Sequence, residues 1–107
     1  METIISKNNK LVTLINVFTV EPEHQQEVLD ILVDATEKVM KHLPGFISAN
    51  LHKSLDGNRV ANYAQWESKE AFETMLQDPQ VKPHMAAVAK LAQIEPYLYE
   101  VSHVDHR

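Results

Sequence analysis

Arg59 to Phe72 reads Arg-Val-Ala-Asn-Tyr-Ala-Gln-Trp-Glu-Ser-Lys-Glu-Ala-Phe, a run that passes from strand pattern to helix pattern. Val60, Asn62, Ala64 and Trp66 share one parity, so on a strand they point to one face. Ser68 then stands where a helix cap is needed, with Glu70 in the first turn, where backbone N–H groups lack partners. The run contains the chain's single Trp, with Asn62 on the same side of the strand. An amide and an indole N–H on one strand face raise the question of what they face.

Upstream, Leu55-Asp56-Gly57-Asn58 supplies hairpin chemistry, because Gly and Asn accept positive φ. The hairpin joins a strand over Phe46–Ser54 to the strand over Arg59–Glu67. Earlier still, Leu11–Val20 is apolar on both parities, as expected of a strand buried on both faces, with Asn16 interrupting the second. Glu21-Pro22-Glu23 opens a helix. Val28, Ile31, Leu32, Ala35, Val39 and Leu43 continue it as one apolar stripe to about residue 43, where Pro44-Gly45 ends it. Downstream of Phe72, a short helix runs to Gln77 and is broken by Asp78-Pro79. A second helix is expected from Val81 to Ala92 and a last strand over Tyr97–Val104, after Pro96. The order is β-α-β-β-α-β, an α+β, ferredoxin-like plan with an antiparallel sheet and the first and third strands central.

The chain has 107 residues, 44% hydrophobic and 23% charged, with net charge −5 and no cysteine. That length fits one domain, residues 1–107, with residues 1–9 polar and flexible; such a chain buries roughly 65% of its unfolded surface. The acidic balance without a basic cluster excludes nucleic acid and anionic membrane as partners. Without cysteine there is no disulfide, thiolate catalysis or Cys-ligated metal. No apolar run reads as a signal peptide or membrane span, so a cytoplasmic location is expected. Two helices cover one sheet face, yet the strands are apolar on both parities. A second subunit packed sheet against sheet is expected to cover the other face.

If the first and third strands are neighbours, Asn16 and Asn62 lie on adjacent strands and share parity with Phe18 and Trp66. Asn is depleted in strands, and a buried amide without partners costs about 1–3 kcal/mol. These residues suggest an apolar cavity with a few convergent donors; the plainer alternative is that the amides satisfy one another. Asn50 and His52 share parity with Phe46 and are placed toward the same space, although an outer strand is often solvated. His24, His42, His84, His103 and His106 read as solvated residues rather than a metal site. No Gly-rich phosphate loop, nucleophile elbow or Ser-His-Asp order is present, so no bound cofactor or metal is expected.

Pro44-Gly45-Phe46, the Asp56-Gly57 hairpin, and Asn62-Tyr63-Ala64-Gln65-Trp66-Glu67-Ser68 with Glu70-Ala71-Phe72 resemble the antibiotic biosynthesis monooxygenase domain family, over roughly Leu11 to Val101. The Asn-Tyr-Ala-Gln-Trp run with His52 upstream is similar to the subgroup that makes quinones in aromatic polyketide pathways. The resemblance implies a dimeric α+β barrel and oxidation of an anthrone-like aromatic by O₂ without flavin, haem or metal. It implies Asn62, Trp66 and Asn16 as catalytic donors, with His52, Phe72, Phe18, Met75 and His84 around the substrate. The subgroup can carry a Tyr where this chain has Phe72, and an Arg where it has Met85 or Ala86. Two alternatives stay open: a non-catalytic dimeric binding module, and the haem-degrading branch. That branch needs a Trp near Met75 and a His one position beyond His84.

Overall fold

The computed structural model describes residues 2–107; Met1, the first residue of the segment expected to be flexible, lies outside them. Four strands form one antiparallel sheet in the order β2-β3-β1-β4, with β1 Val12–Val20, β2 Phe46–Lys53, β3 Arg59–Trp66 and β4 Ala92–Tyr99. The helices are α1 Gln25–Lys38, α2 Lys69–Leu76 and α3 Lys82–Ala89. The ferredoxin-like order and the central pair β1 and β3 follow the expectation.

Alternation along β1 sets the layers. Leu14, Asn16, Phe18 and Val20 are buried under the helices, while Ile15 and Val17 are half-buried on the opposite face. α1 follows a 3-10 turn, Pro22–His24, and buries Val28, Leu32 and Ala35 at helical spacing. Its buried first residue, Gln25, donates through Nε2 to Ser54 O (3.1 Å) and Arg59 O (2.9 Å), fastening the helix start to the β2–β3 hairpin. The helix is shorter than the apolar stripe implied. Val39 leaves helical geometry (φ −126°, ψ −65°), and Met40–His42 continues as a 3-10 turn. Leu43, restricted by the proline after it, is extended. Gly45 then turns at φ 88°, and a Cβ there would overlap Ala71 Cβ, so this position requires glycine on two counts.

Ser68 caps α2 as expected, its Oγ accepting from Ala71 N (3.0 Å). Asp78 and Pro79 separate α2 from α3, and Pro83 occupies the first turn of α3. α3 ends at Ala89 rather than Ala92, because the chain turns at once into β4. That strand corrects the expected Tyr97–Val104: it runs Ala92–Tyr99 with Pro96 inside it. β4 pairs only with β1, so it is an edge strand, where a residue without an N–H is tolerated.

Two apolar clusters fill the space between sheet and helices. One gathers Leu14, Ala35, Val39, Trp66, Phe72 and Met75; the other gathers Phe18, Val28, Leu32, Val60 and Val88; Met85 packs against both. On the opposite sheet face Tyr97 and Tyr99 are exposed. There Gln65 Nε2 donates to Ile4 O (2.7 Å) and Thr3 Oγ1 to Asn50 Oδ1 (2.9 Å). Among the described residues, no helix is long and apolar enough to cross a membrane.

Candidate active site

The two clusters leave between them a cavity of about 220 Å³, walled by all four strands of the sheet on one side and by all three helices on the other. Most of its lining is apolar: Leu14, Phe18, Leu32, Phe72, Met75 and Met85 among others. The polar groups that line it are Asn16, Asn62, Trp66 and Lys82. Leu76, Lys82 and Pro96 are lining residues that are also exposed, so they mark where the cavity opens.

Asn16 and Asn62 are direct cross-strand partners at the middle of the central strand pair. Their side chains therefore start about 4.5–5.5 Å apart at Cβ and project to the same face. The Oδ1 of each is buried and has no hydrogen-bond partner among the described residues. The alternative in which the two amides satisfy one another is therefore not what the sheet builds. Each amide carries both an acceptor and a two-hydrogen donor, and a half-turn about its last bond exchanges them. Two such groups, side by side in an apolar chamber, are equipped to bind one or two oxygen atoms of a ligand.

Trp66 is 1% exposed and fixed between two aromatic rings. Phe46 meets it edge-on at 5.5 Å and 90°, and Phe72 at 6.3 Å and 71°. Such contacts hold a ring in one orientation. Phe72, buried beside Trp66, offers the cavity an aromatic edge and no exchangeable proton. Of the residues expected around the substrate, Phe18, Phe72 and Met75 line the cavity with the three expected donors.

His52 and His84 do not. His52 is exposed on the other sheet face, its Nδ1 3.0 Å from Asn50 O. The cause is a β-bulge: Phe46 pairs with Trp66 but Ser48 already pairs with Gln65, so Ile47 is extra. Beyond the bulge the phase is reversed. Ala49 lines the cavity, whereas Asn50 donates through Nδ2 to Tyr63 O (2.9 Å) and does not line it. His84 is turned away for a helical reason. It lies two positions after Lys82, roughly 200° around α3, while Met85 at three positions shares the Lys82 side. Its ring nitrogens meet Gln80 O (3.0 Å) and Asp34 Oδ2 (3.0 Å).

His84 instead lines a wide surface groove of about 630 Å³ between α1 and α3, with Glu27, Asp30 and Asp34. Asp34 is held below the usual carboxylate range, first by the hydrogen bond from Lys38 and then by that from His84. This groove is open to solvent along its length, unlike an enclosed ligand chamber. Among the described residues no three His, Asp or Glu side chains converge as metal ligands. The cavity itself is lined by no imidazole, carboxylate or phenol. That leaves the haem-degrading alternative without a histidine in the chamber.

Lys82 was not among the residues singled out from sequence. The available signal was Pro83, which fixes the start of α3 and hence puts the preceding side chain at the helix opening. Met40, Leu76 and Pro96 also line the cavity. Met40 is placed by the 3-10 turn after α1, Pro96 by the early start of β4, and Leu76 by the last turn of α2.

The family model for antibiotic biosynthesis monooxygenase matches residues 11–87. A curated relative, tetracenomycin-F1 monooxygenase of Streptomyces glaucescens, is 46% identical over 99 residues, covering 92% of this chain and 88% of the relative. Among solved structures, SnoaB, a cofactor-independent oxygenase from Streptomyces nogalater, superposes with TM-score 0.73 at 28% identity, covering 89% of this chain and 96% of that one. The monooxygenase from the ActVA-Orf6 gene of Streptomyces coelicolor, in complex with nanaomycin D, gives TM-score 0.80 at 25% identity, covering 90% and 91%.

Proposed function

The chain belongs to the antibiotic biosynthesis monooxygenase family and is a monooxygenase, and from that premise we propose that it oxidises an anthrone-like polyketide to a quinone with O₂ and no cofactor. The observation that carries this reading is the pair of unpartnered amides, Asn16 and Asn62, in an otherwise apolar chamber beside Trp66.

The overall change is anthrone plus O₂ to quinone plus water. The ring methylene loses a proton, and the charge spreads to the carbonyl oxygen. The electron-rich anion passes one electron to O₂, and the two radicals combine into a carbon-bound peroxide. Once protonated, the peroxide loses its remaining geminal hydrogen and breaks its O–O bond. One oxygen stays as the new carbonyl and the other leaves in water. The substrate supplies every electron, so the protein must bind a flat aromatic, favour its anion and steady the peroxide. Phe18, Phe72, Met75 and Trp66 bound the chamber for the rings. Asn16 and Asn62 aim amide donors at the oxygen atoms where charge develops, and Trp66 adds its indole edge. Fixed neutral donors in a water-poor site are effective because they need no reorganisation as charge appears.

We also assign residues 1–107 to one domain, working as a homodimer joined by the face that carries Ile15, Val17, Tyr97 and Tyr99. Light scattering at micromolar concentration should give about twice the 12.2 kDa chain mass; the chain mass itself would refute the dimer.

The activity test uses metal-free protein, 1,8-dihydroxyanthrone and air, with quinone followed by absorbance. Quinone should form faster than in buffer, and Asn62→Ala should slow it by about 10²–10³. A rate equal to buffer, and equal to that of the variant, rejects the proposal for this substrate.

A further inference from the structure

The chamber has donors for an anion but no side chain to take the proton. No carboxylate, imidazole or phenol lines it, and the one ionisable lining residue is Lys82, at the opening. From this we infer that Lys82 is the cationic partner of the substrate anion: its ammonium lowers the pKa of the bound anthrone, and the methylene proton leaves to water at the cavity mouth. The C–H bond breaks, its electron pair stays on the substrate, and Lys82 remains protonated throughout. The inference rests on the anthrone reading above.

Three observations support it. Lys82 lies in none of the ion pairs formed by the described residues, which engage Lys38, Lys41, Arg59 and three histidines. It also stands where helix electrostatics disfavour it. The N-terminus of a helix carries partial positive charge and prefers acids, yet α3 has Lys82 at its start and no acid in its first turn. A local rule broken beside a cavity marks a place where stability is not the governing demand. Finally, the nearby titratable groups are committed or turned elsewhere. Asp78, one turn earlier, accepts from Gln80 N (2.7 Å) through Oδ1. Asp34 on α1 is occupied by Lys38 and His84 across the outer groove, with Glu27 and Asp30. Glu70 and Glu73 on α2 are exposed and do not line the chamber. Glu95 on β4 is of opposite parity to the lining residues Ile94 and Pro96.

The test is an anaerobic pH titration of 1,8-dihydroxyanthrone in the presence of saturating protein, reading the visible band of its anion. The wild-type protein should lower the apparent pKa of the bound compound. Lys82→Met should raise it by about one unit, the low end for a charge at a solvent-exposed rim. Lys82→Arg should restore most of the shift. In air, the pH profile of kcat, which reports groups in the enzyme–substrate complex, should move the same way, with Lys82→Met about tenfold slower below the pKa and equal to wild type above it. Lys82→Met should fold at least as stably as wild type, since it removes a cation from a helix start. The inference is overturned if the bound pKa and the pH profile are the same in wild type and Lys82→Met, or if only KM changes. If no quinone forms at all, the proposed activity falls, while the anaerobic pKa still decides the role of Lys82.

Discussion

Asn62→Leu should make the protein more stable and nearly inactive. Leu approximates the shape of Asn and adds no polar atom. In the wild type, Asn62 Oδ1 is buried without a partner, directly across from Asn16, whose Oδ1 is in the same state. Removing an unsatisfied buried group returns its desolvation cost, about 1–3 kcal/mol; the low end applies here because Asn62 is only half-buried. A gain of about 1 kcal/mol raises Tm by about 4–8 °C in a domain of this size. Loss of a donor to the developing anion costs about 10²–10³ in kcat, equivalent to about 2.7–4 kcal/mol. The two effects have opposite signs, which an ordinary core substitution does not produce. The assay pairs thermal unfolding at fixed protein concentration with quinone formation from 1,8-dihydroxyanthrone. Asn16→Leu should behave likewise. The double variant should be less than additive in rate, since directly opposed residues share their ligand. A fall in both Tm and rate for Asn62→Leu would show that Asn62 is a structural residue. An unchanged rate would remove it from the chemistry.

Ser68→Ala should cost about 1 kcal/mol and lower Tm by about 4–8 °C, because it leaves Ala71 N–H without its cap; an unchanged melting curve would show that the cap contributes nothing. Asp56→Asn tests the hairpin through pH. The Asp56 carboxyl is held below its reference value of 3.8, first by Asn58 N–H and then by Ser54 Oγ–H. A depressed folded pKa stabilises above the unfolded value and is lost as pH falls through the folded one. Asp56→Asn should therefore be less stable than wild type at pH 7, with the gap closing as pH drops below 3.8; a gap independent of pH would refute that assignment.

Much of the fold was legible because local signals agreed with the global order. Ser68 capped, Gly57 turned at φ 83°, and the apolar spacings of β1 and α1 faced the core. The failures have specific causes. Pro96 was treated as a strand boundary, but an edge strand tolerates a residue without an N–H. His52 was placed by counting parity from Phe46 through the bulge at Ile47. The sequence does carry a trace of that bulge. After Phe46, the apolar residues Ala49 and Leu51 fall on one parity and the polar Ser48, Asn50 and His52 on the other. Alternation therefore changes phase exactly once, immediately after Phe46, and a single extra residue accounts for it.

The site residues are those at which local preference and observed structure disagree. Asn is a poor strand residue, yet two occupy facing positions in the central strand pair with their oxygens unpartnered. Lysine is a poor first residue for a helix, yet it opens α3. These departures come from different elements and break different rules, one of sheet composition and one of helix electrostatics. Neither explains the other through a contact, and both line the same cavity of about 220 Å³. A shared ligand explains both at once. With each amide turned by half a rotation so that its Nδ2 faces inward, an anion with its oxygen atoms between the amides and its charge drawn toward the ammonium gives both departures a partner. His84 is the contrast: with its ring nitrogens in hydrogen-bond reach of Gln80 O in the turn before α3 and Asp34 Oδ2 on α1, it is a residue that the fold alone accounts for.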